Sequence, residues 1–122
     1  MIQIVLSNTS GVPIYQQLFD QVSAQIIKGE LESGSALPPI RTTAKELRVS
    51  IITIKKAWEM LERDGFICTV VGRGSFIAPL SLTELTDKRD DLVREKMVKD
   101  IEYYKRLGLT LEELTEAITR MY

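Results

Sequence analysis

The chain has 122 residues, 44% apolar and 27% charged, with a formal net charge of −1. This ordinary globular composition suffices for one small domain and an appendage. It holds no histidine and a single cysteine, which removes the commonest general base and metal ligand and excludes an intrachain disulfide or a thiolate zinc site. Neither a cofactor nor a metal is expected, and no apolar run approaches the roughly 20 residues that span a bilayer.

The opening, MIQIVLSNTSGVPIYQQL, lacks the basic stretch and small-residue cleavage site of a secretory signal, so a cytoplasmic location is expected. Ile2, Ile4, Val5 and Leu6 read as a short β-like start, followed by the polar turn Ser7 to Gly11. Pro13 suits the first turn of a helix. Ile14, Leu18, Val22, Ile26 and Ile27 then recur at helical spacing, with Gly29 as the stop after Lys28. Residues 30–37 read as a loop.

Pro38 and Pro39 open a short second helix to about Arg48, with Ile40, Ala44 and Leu47 on one face. Val49 and Ser50 make a tight turn, and Ser50 is a good N-cap. A third helix is expected over about 51–64, with Ile54, Ala57, Trp58 and Leu61 inside and Gly65 at its end. The tryptophan is read as core, with a base-stacking platform as the other use of such a ring. Residues 66–71 and 75–78 are two β runs around Gly72-Arg73-Gly74, a glycine-rich turn for a tight hairpin with one arginine at its tip. Cys68, in the apolar run from Phe66 to Val71, is expected as a small packed side chain.

Pro79 marks a break. Ser81 with Glu84 fits a capping box for a long helix to about Leu107, and Thr110 with Glu113 fits a second. Leu85, Leu92, Val93, Met97, Ile101 and Tyr104 form an apolar stripe on the first of these helices. Leu111, Leu114, Ile118 and Met121 continue it on the second. So small a helical hairpin rarely forms its own core. Packing on a second copy, as a four-helix arrangement, is the expected use. No internal repeat or low-complexity segment is visible.

Charge is unevenly spread. Between Ile40 and Lys56 stand Arg41, Lys45, Arg48, Lys55 and Lys56 against the single acid Glu46, a net +4. From Leu80 to Tyr122 there are eight basic and ten acidic residues, a net −2. Two short helices with a tight turn, then an arginine-tipped hairpin, on the cationic part of a net acidic chain, suit DNA contact. An α-helix fits the major groove, where its first residues meet base edges. Ser50, Ile51, Ile52, Thr53 and Lys55 occupy that end. Lys55 suits guanine or phosphate, and Lys56 phosphate or water alone. Arg73 on a thin wing suits a narrow minor groove.

Together these residues resemble the GntR family of bacterial winged-helix regulators, over roughly Pro13 to Ala78. The resemblance rests on Pro13-Ile14-Tyr15-Gln16-Gln17-Leu18, Leu37-Pro38-Pro39-Ile40-Arg41 and Leu47-Arg48-Val49-Ser50. It continues through Thr53-Ile54-Lys55-Lys56-Ala57, Leu61-Glu62-Arg63-Asp64-Gly65-Phe66 and Gly72-Arg73-Gly74-Ser75-Phe76. The opening motif and the short C-terminal helical pair look like the YtrA-type subgroup, whose members are commonly linked to transporter operons. The resemblance implies a mainly α fold with a small β wing. It places a winged helix-turn-helix at 1–79 and a dimerisation hairpin at 80–122. It further implies a homodimer on a palindromic double-stranded operator, acting as a repressor, with Arg41, Ser50, Thr53, Lys55, Gly72 and Arg73 at contact positions and Gly74 completing the wing tip. It names no effector.

Two departures stand out. Pro39 occupies a place where the family often has a capping serine. Ile51 follows the turn serine where the family often has a base-reading arginine, and Ile52 comes next. Ile51 there either touches a thymine methyl group or only packs. The alternative to DNA binding is a winged helix that docks on protein. An enzyme is not expected, because Asp20, Glu30, Glu32, Glu59, Glu62 and Asp64 show no paired acid/base spacing.

Overall fold

The computed structural model describes residues 2–122, so Met1 of the expected first domain lies outside it. Among the described residues, five helices and one two-stranded sheet follow one another in the expected order. Helix α1 (Ile14–Ile27) starts from Pro13, whose carbonyl accepts the Gln16 and Gln17 amides at 3.0 and 3.1 Å. It buries Leu18, Phe19, Val22 and Ile26. Phe19 lay outside the expected stripe. It meets Phe66 edge-on, with centroids 6.1 Å apart at 79°, an arrangement that suits the ring quadrupoles.

Helices α2 (Ile40–Leu47) and α3 (Ile51–Arg63) form the helix-turn-helix. Ile54, Ala57, Trp58 and Leu61 of α3 are all buried, as the spacing predicts, and Trp58 is core. This face packs on α1 and on α2. The wing is β1 (Ile67–Val70) paired antiparallel with β2 (Gly74–Ile77), in the register Ile67↔Ile77 to Val70↔Gly74. Phe66, Ile67, Ile77 and Ala78 root it in the core.

Three sequence-based expectations need correction. Cys68 is exposed, because the hairpin projects past the core and only Ile67 of β1 is buried. The loop before α2 is partly sheet-like. Ala36 bridges Phe76, Leu37 donates to the Ser75 carbonyl at 2.9 Å, and Ile77 donates to that of Ser35 at 2.8 Å. The second edge of β2 is thereby covered, which satisfies backbone groups that would otherwise be open.

The third correction is at the start of the chain, where none of the described residues pairs as a strand. It is held by glutamine side chains of α1. Gln17 accepts the Ser7 amide at 2.9 Å and donates to its carbonyl at 2.8 Å. Gln21 does the same for Val5 at 2.8 and 2.7 Å, and Gln25 for Gln3 at 3.4 and 2.7 Å. Four residues of helix advance about 6 Å and two of extended chain about 6.6 Å. Side-chain amides every fourth residue therefore match backbone amides every second residue. They serve as the neighbouring strand.

Beyond the wing, α4 (Leu82–Arg106) and α5 (Leu111–Met121) follow. Both expected capping boxes are present. Ser81 and Glu84 exchange two bonds of 3.1 Å, and Thr110 and Glu113 exchange bonds of 3.0 and 3.1 Å. No residue of either helix is buried, and no described helix is long and apolar enough to cross a membrane. The chain divides into two compact units, Met1–Thr86 and Asp87–Tyr122.

Candidate nucleic-acid interface

The start of α3 is fixed locally. Ser50, extended at φ −70° and ψ 151°, accepts the Thr53 amide at 3.1 Å, and the two hydroxyls lie 2.8 Å apart. This satisfies one of the orphan donors at a helix start. It also commits most of the hydroxyl capacity of that turn. Burial of Ile54, Ala57, Trp58 and Leu61 then forces Ile51, Ile52 and Lys55 outward. Ile52 is 79% exposed and Ile51 41%, while Thr53 is half-buried.

The turn before α3 contains a residue that sequence reasoning missed. Arg48 ends α2 in the left-handed conformation, φ 57° and ψ 44°. Its amide donates to the Lys45 carbonyl at 3.3 Å and that of Val49 to Ala44 at 3.0 Å, the two-bond closure usually built on glycine. Arg41 is exposed in the first turn of α2. Pro39 makes no side-chain cap there, as its chemistry dictates. Thr43 instead bonds back, its hydroxyl donating to the Pro39 carbonyl at 3.0 Å.

At the wing tip Arg73 donates its amide to the Val70 carbonyl at 2.9 Å. Gly72 at φ 79° and Gly74 at φ 103° supply the backbone that this turn needs. Gly72, Arg73 and Gly74 are exposed. So is Val71, at 98%, a second tip residue absent from the sequence-based site.

Electrostatically, the region is cationic and unneutralised. The ion pairs that the fold forms lie elsewhere, such as Lys28–Glu30, Arg63–Asp64 and Lys96–Asp100. Among the described residues, none engages Arg41, Lys45, Arg48, Lys55 or Arg73. Lys56 differs from the others. Its Nζ stands 3.8 Å from the centre of the Tyr15 ring on α1, a cation–π contact worth about 0.5–1 kcal/mol at such exposure. No described group of His, Cys, Asp and Glu is placed to hold a metal ion. The arrangement is therefore an exposed helix start, a cationic turn and a glycine–arginine hairpin on one compact unit. It is equipped to grip a polyanion and present side chains to it.

Comparison with known proteins decides the family. The family model described as "Bacterial regulatory proteins, gntR family" matches residues 14–77. The chain belongs to the GntR family. The uncharacterized HTH-type regulator YhcF of Bacillus subtilis is 37% identical over 110 residues, 89% of each chain. The HTH-type transcriptional repressor YtrA of the same organism is 34% identical over 118 residues, 97% of this chain and 89% of its own. A solved structure of a transcriptional antiterminator from Listeria monocytogenes EGD-e superposes with a TM-score of 0.75 at 30% identity. It covers 98% of this chain and 89% of that one.

This GntR chain is of the YtrA kind, a winged-helix DNA-binding regulator and not an enzyme. The docking-module alternative is not favoured. The match ends at residue 77, but the similarity to YtrA, over 97% of this chain, reaches both C-terminal helices, and that to YhcF, over 89%, reaches at least the first of them.

Proposed function

We propose that the chain acts as a homodimer in the cytoplasm and represses transcription by binding a palindromic operator through its first 79 residues, with residues 80–122 pairing the two copies. The observation that carries the DNA-reading part is the cationic, unpaired surface around the start of α3. Ser50, Ile51, Ile52, Thr53 and Lys55 enter the major groove. Arg41 and Lys56 lie along the phosphates, and Gly72, Arg73 and Gly74 enter the flanking minor groove. Repression is supported by the similarity to YtrA, a transcriptional repressor. Pairing through α4 and α5 is supported by an apolar stripe that a single chain leaves uncovered.

The test is titration of Lys55→Ala and Arg73→Ala on an operator at several salt concentrations. Loss of a base contact at Lys55 costs about 1–3 kcal/mol and relaxes specificity at one position, whereas loss of a phosphate contact reduces the salt slope by about one per half-site. Both variants keep the wild-type melt, since neither side chain is buried. Unchanged affinity in both variants removes the contact assignment.

A further inference from the structure

The start of α3 carries two side chains that the fold does not use. Ile51 and Ile52 are adjacent and exposed to 41% and 79%. Burial on this helix falls to Ile54, Ala57, Trp58 and Leu61. The polar groups of the same turn are already occupied, since Ser50 caps the helix and its hydroxyl lies 2.8 Å from that of Thr53. Lys55 stands one turn further on, four residues from Ile51 and three from Ile52, and so is their neighbour on the helix surface. The helix thus presents an aliphatic ridge beside an unpaired cation. A surface of that kind fits a polyanion that also carries small apolar groups.

Resting on the reading of this helix as the DNA-reading element, we propose that Ile52, with Ile51 beside it, recognises thymine by its C5-methyl group in the major groove. Every base edge there carries hydrogen-bond donors or acceptors, but the thymine methyl is the one apolar group. Isoleucine has neither donor nor acceptor, so the methyl is the only feature by which it distinguishes bases. Arginine at such a place pairs with guanine O6 and N7. Two isoleucines exchange that preference for thymine at one or two positions of each half-site. Ile52, the more exposed, is the reader, and Ile51, partly packed, shapes the side of the contact.

The experiment uses the full chain and begins with selection of bound duplexes from a random pool. The strongest duplex is then synthesised with deoxyuridine in place of each half-site thymine in turn. Uracil keeps every hydrogen-bonding atom and loses only the methyl. At one or two positions the change weakens binding by about fourfold per methyl, the equivalent of about 0.8 kcal/mol for one buried carbon, and elsewhere it has no effect. Ile52→Ser abolishes this sensitivity, whereas Ile52→Val retains it. Circular dichroism checks that both variants remain folded. A selected duplex bound equally well with thymine or uracil throughout overturns the proposal alone, as does an undiminished uracil penalty in Ile52→Ser. A pool that yields no enriched duplex overturns the DNA-contact reading itself and this proposal with it.

Discussion

Arg48 shows at the residue scale how a local cost is tolerated beside a binding surface. It is the one described non-glycine residue at positive φ, in a turn closure that glycine makes without strain. A left-handed L-residue costs about 1–2 kcal/mol, while glycine loses about 0.5–1 kcal/mol more chain entropy on folding. Arg48→Gly is therefore expected to stabilise the protein by about 0.5–1 kcal/mol, which raises the Tm by about 3–5 °C for a domain of this size. The same substitution removes a cation next to Ser50, so operator binding weakens and its salt slope falls by about one per protomer. Thermal melts and salt titrations read the two effects separately. A lower Tm refutes the strain, and an unchanged slope shows that Arg48 makes no phosphate contact. Opposite signs in one substitution are the expected mark of strain kept for function.

The glutamine ladder on α1 is the matching case at the element scale. Gln17 is 9% exposed. Its amide donates to the Ser7 and Val12 carbonyls at 2.8 Å each and to the Ser10 hydroxyl at 3.1 Å, besides accepting the Ser7 amide. Gln17→Ala leaves several backbone groups without their partner and is expected to cost about 2–3 kcal/mol in denaturant melts. Gln25→Ala, at the solvated end, costs about 0.5 kcal/mol. Hydrogen exchange at the Ser7 and Val5 amides should quicken in the first variant and not in the second, and equal costs would rule out a graded clamp. None of this was legible in the sequence, because polar residues four apart read as a solvated helix face. The stripe of α3, the Ser50 cap and both capping boxes were legible, since each depends on spacing within a few residues. Ala36 beside Phe76, the outward turn of Cys68 and the Tyr15–Lys56 contact were not. They depend on where distant segments meet. At the candidate site, Lys55 and Arg73 could be read from residue type and position, whereas nothing in the type of Arg48 announces a left-handed turn.

For the whole molecule, the decisive contrast is between a first unit with a complete core and a second with none. Leu18, Val22, Ile54 and Leu61 of the first are fully enclosed. In the part of α4 that belongs to the second, Val93 and Met97 are about half exposed, while Leu92, Ile101 and Tyr104 are only partly covered. In α5, Leu111, Ile118 and Met121 are exposed and Leu114 is half-buried. Capping boxes and the exposed pairs Lys96–Asp100 and Arg120–Glu116 support these helices individually, but such pairs contribute only tenths of a kcal/mol. In the homodimer proposed above, this open apolar surface is covered by its own copy, which would bring two recognition helices to one operator. The double substitution Met97→Asp with Ile101→Asp puts charge into that stripe without touching the first core. It is expected to give a monomer by light scattering at concentrations where the parent chain is a dimer. Binding to a two-half-site operator should fall by about 10²–10⁴, the loss of effective concentration. Binding to a duplex carrying a single half-site should be the same for both proteins. That comparison separates a lost partner from a damaged reader: a variant that stays dimeric refutes the pairing surface, and one that loses single-site binding as well shows that the two units do not act independently.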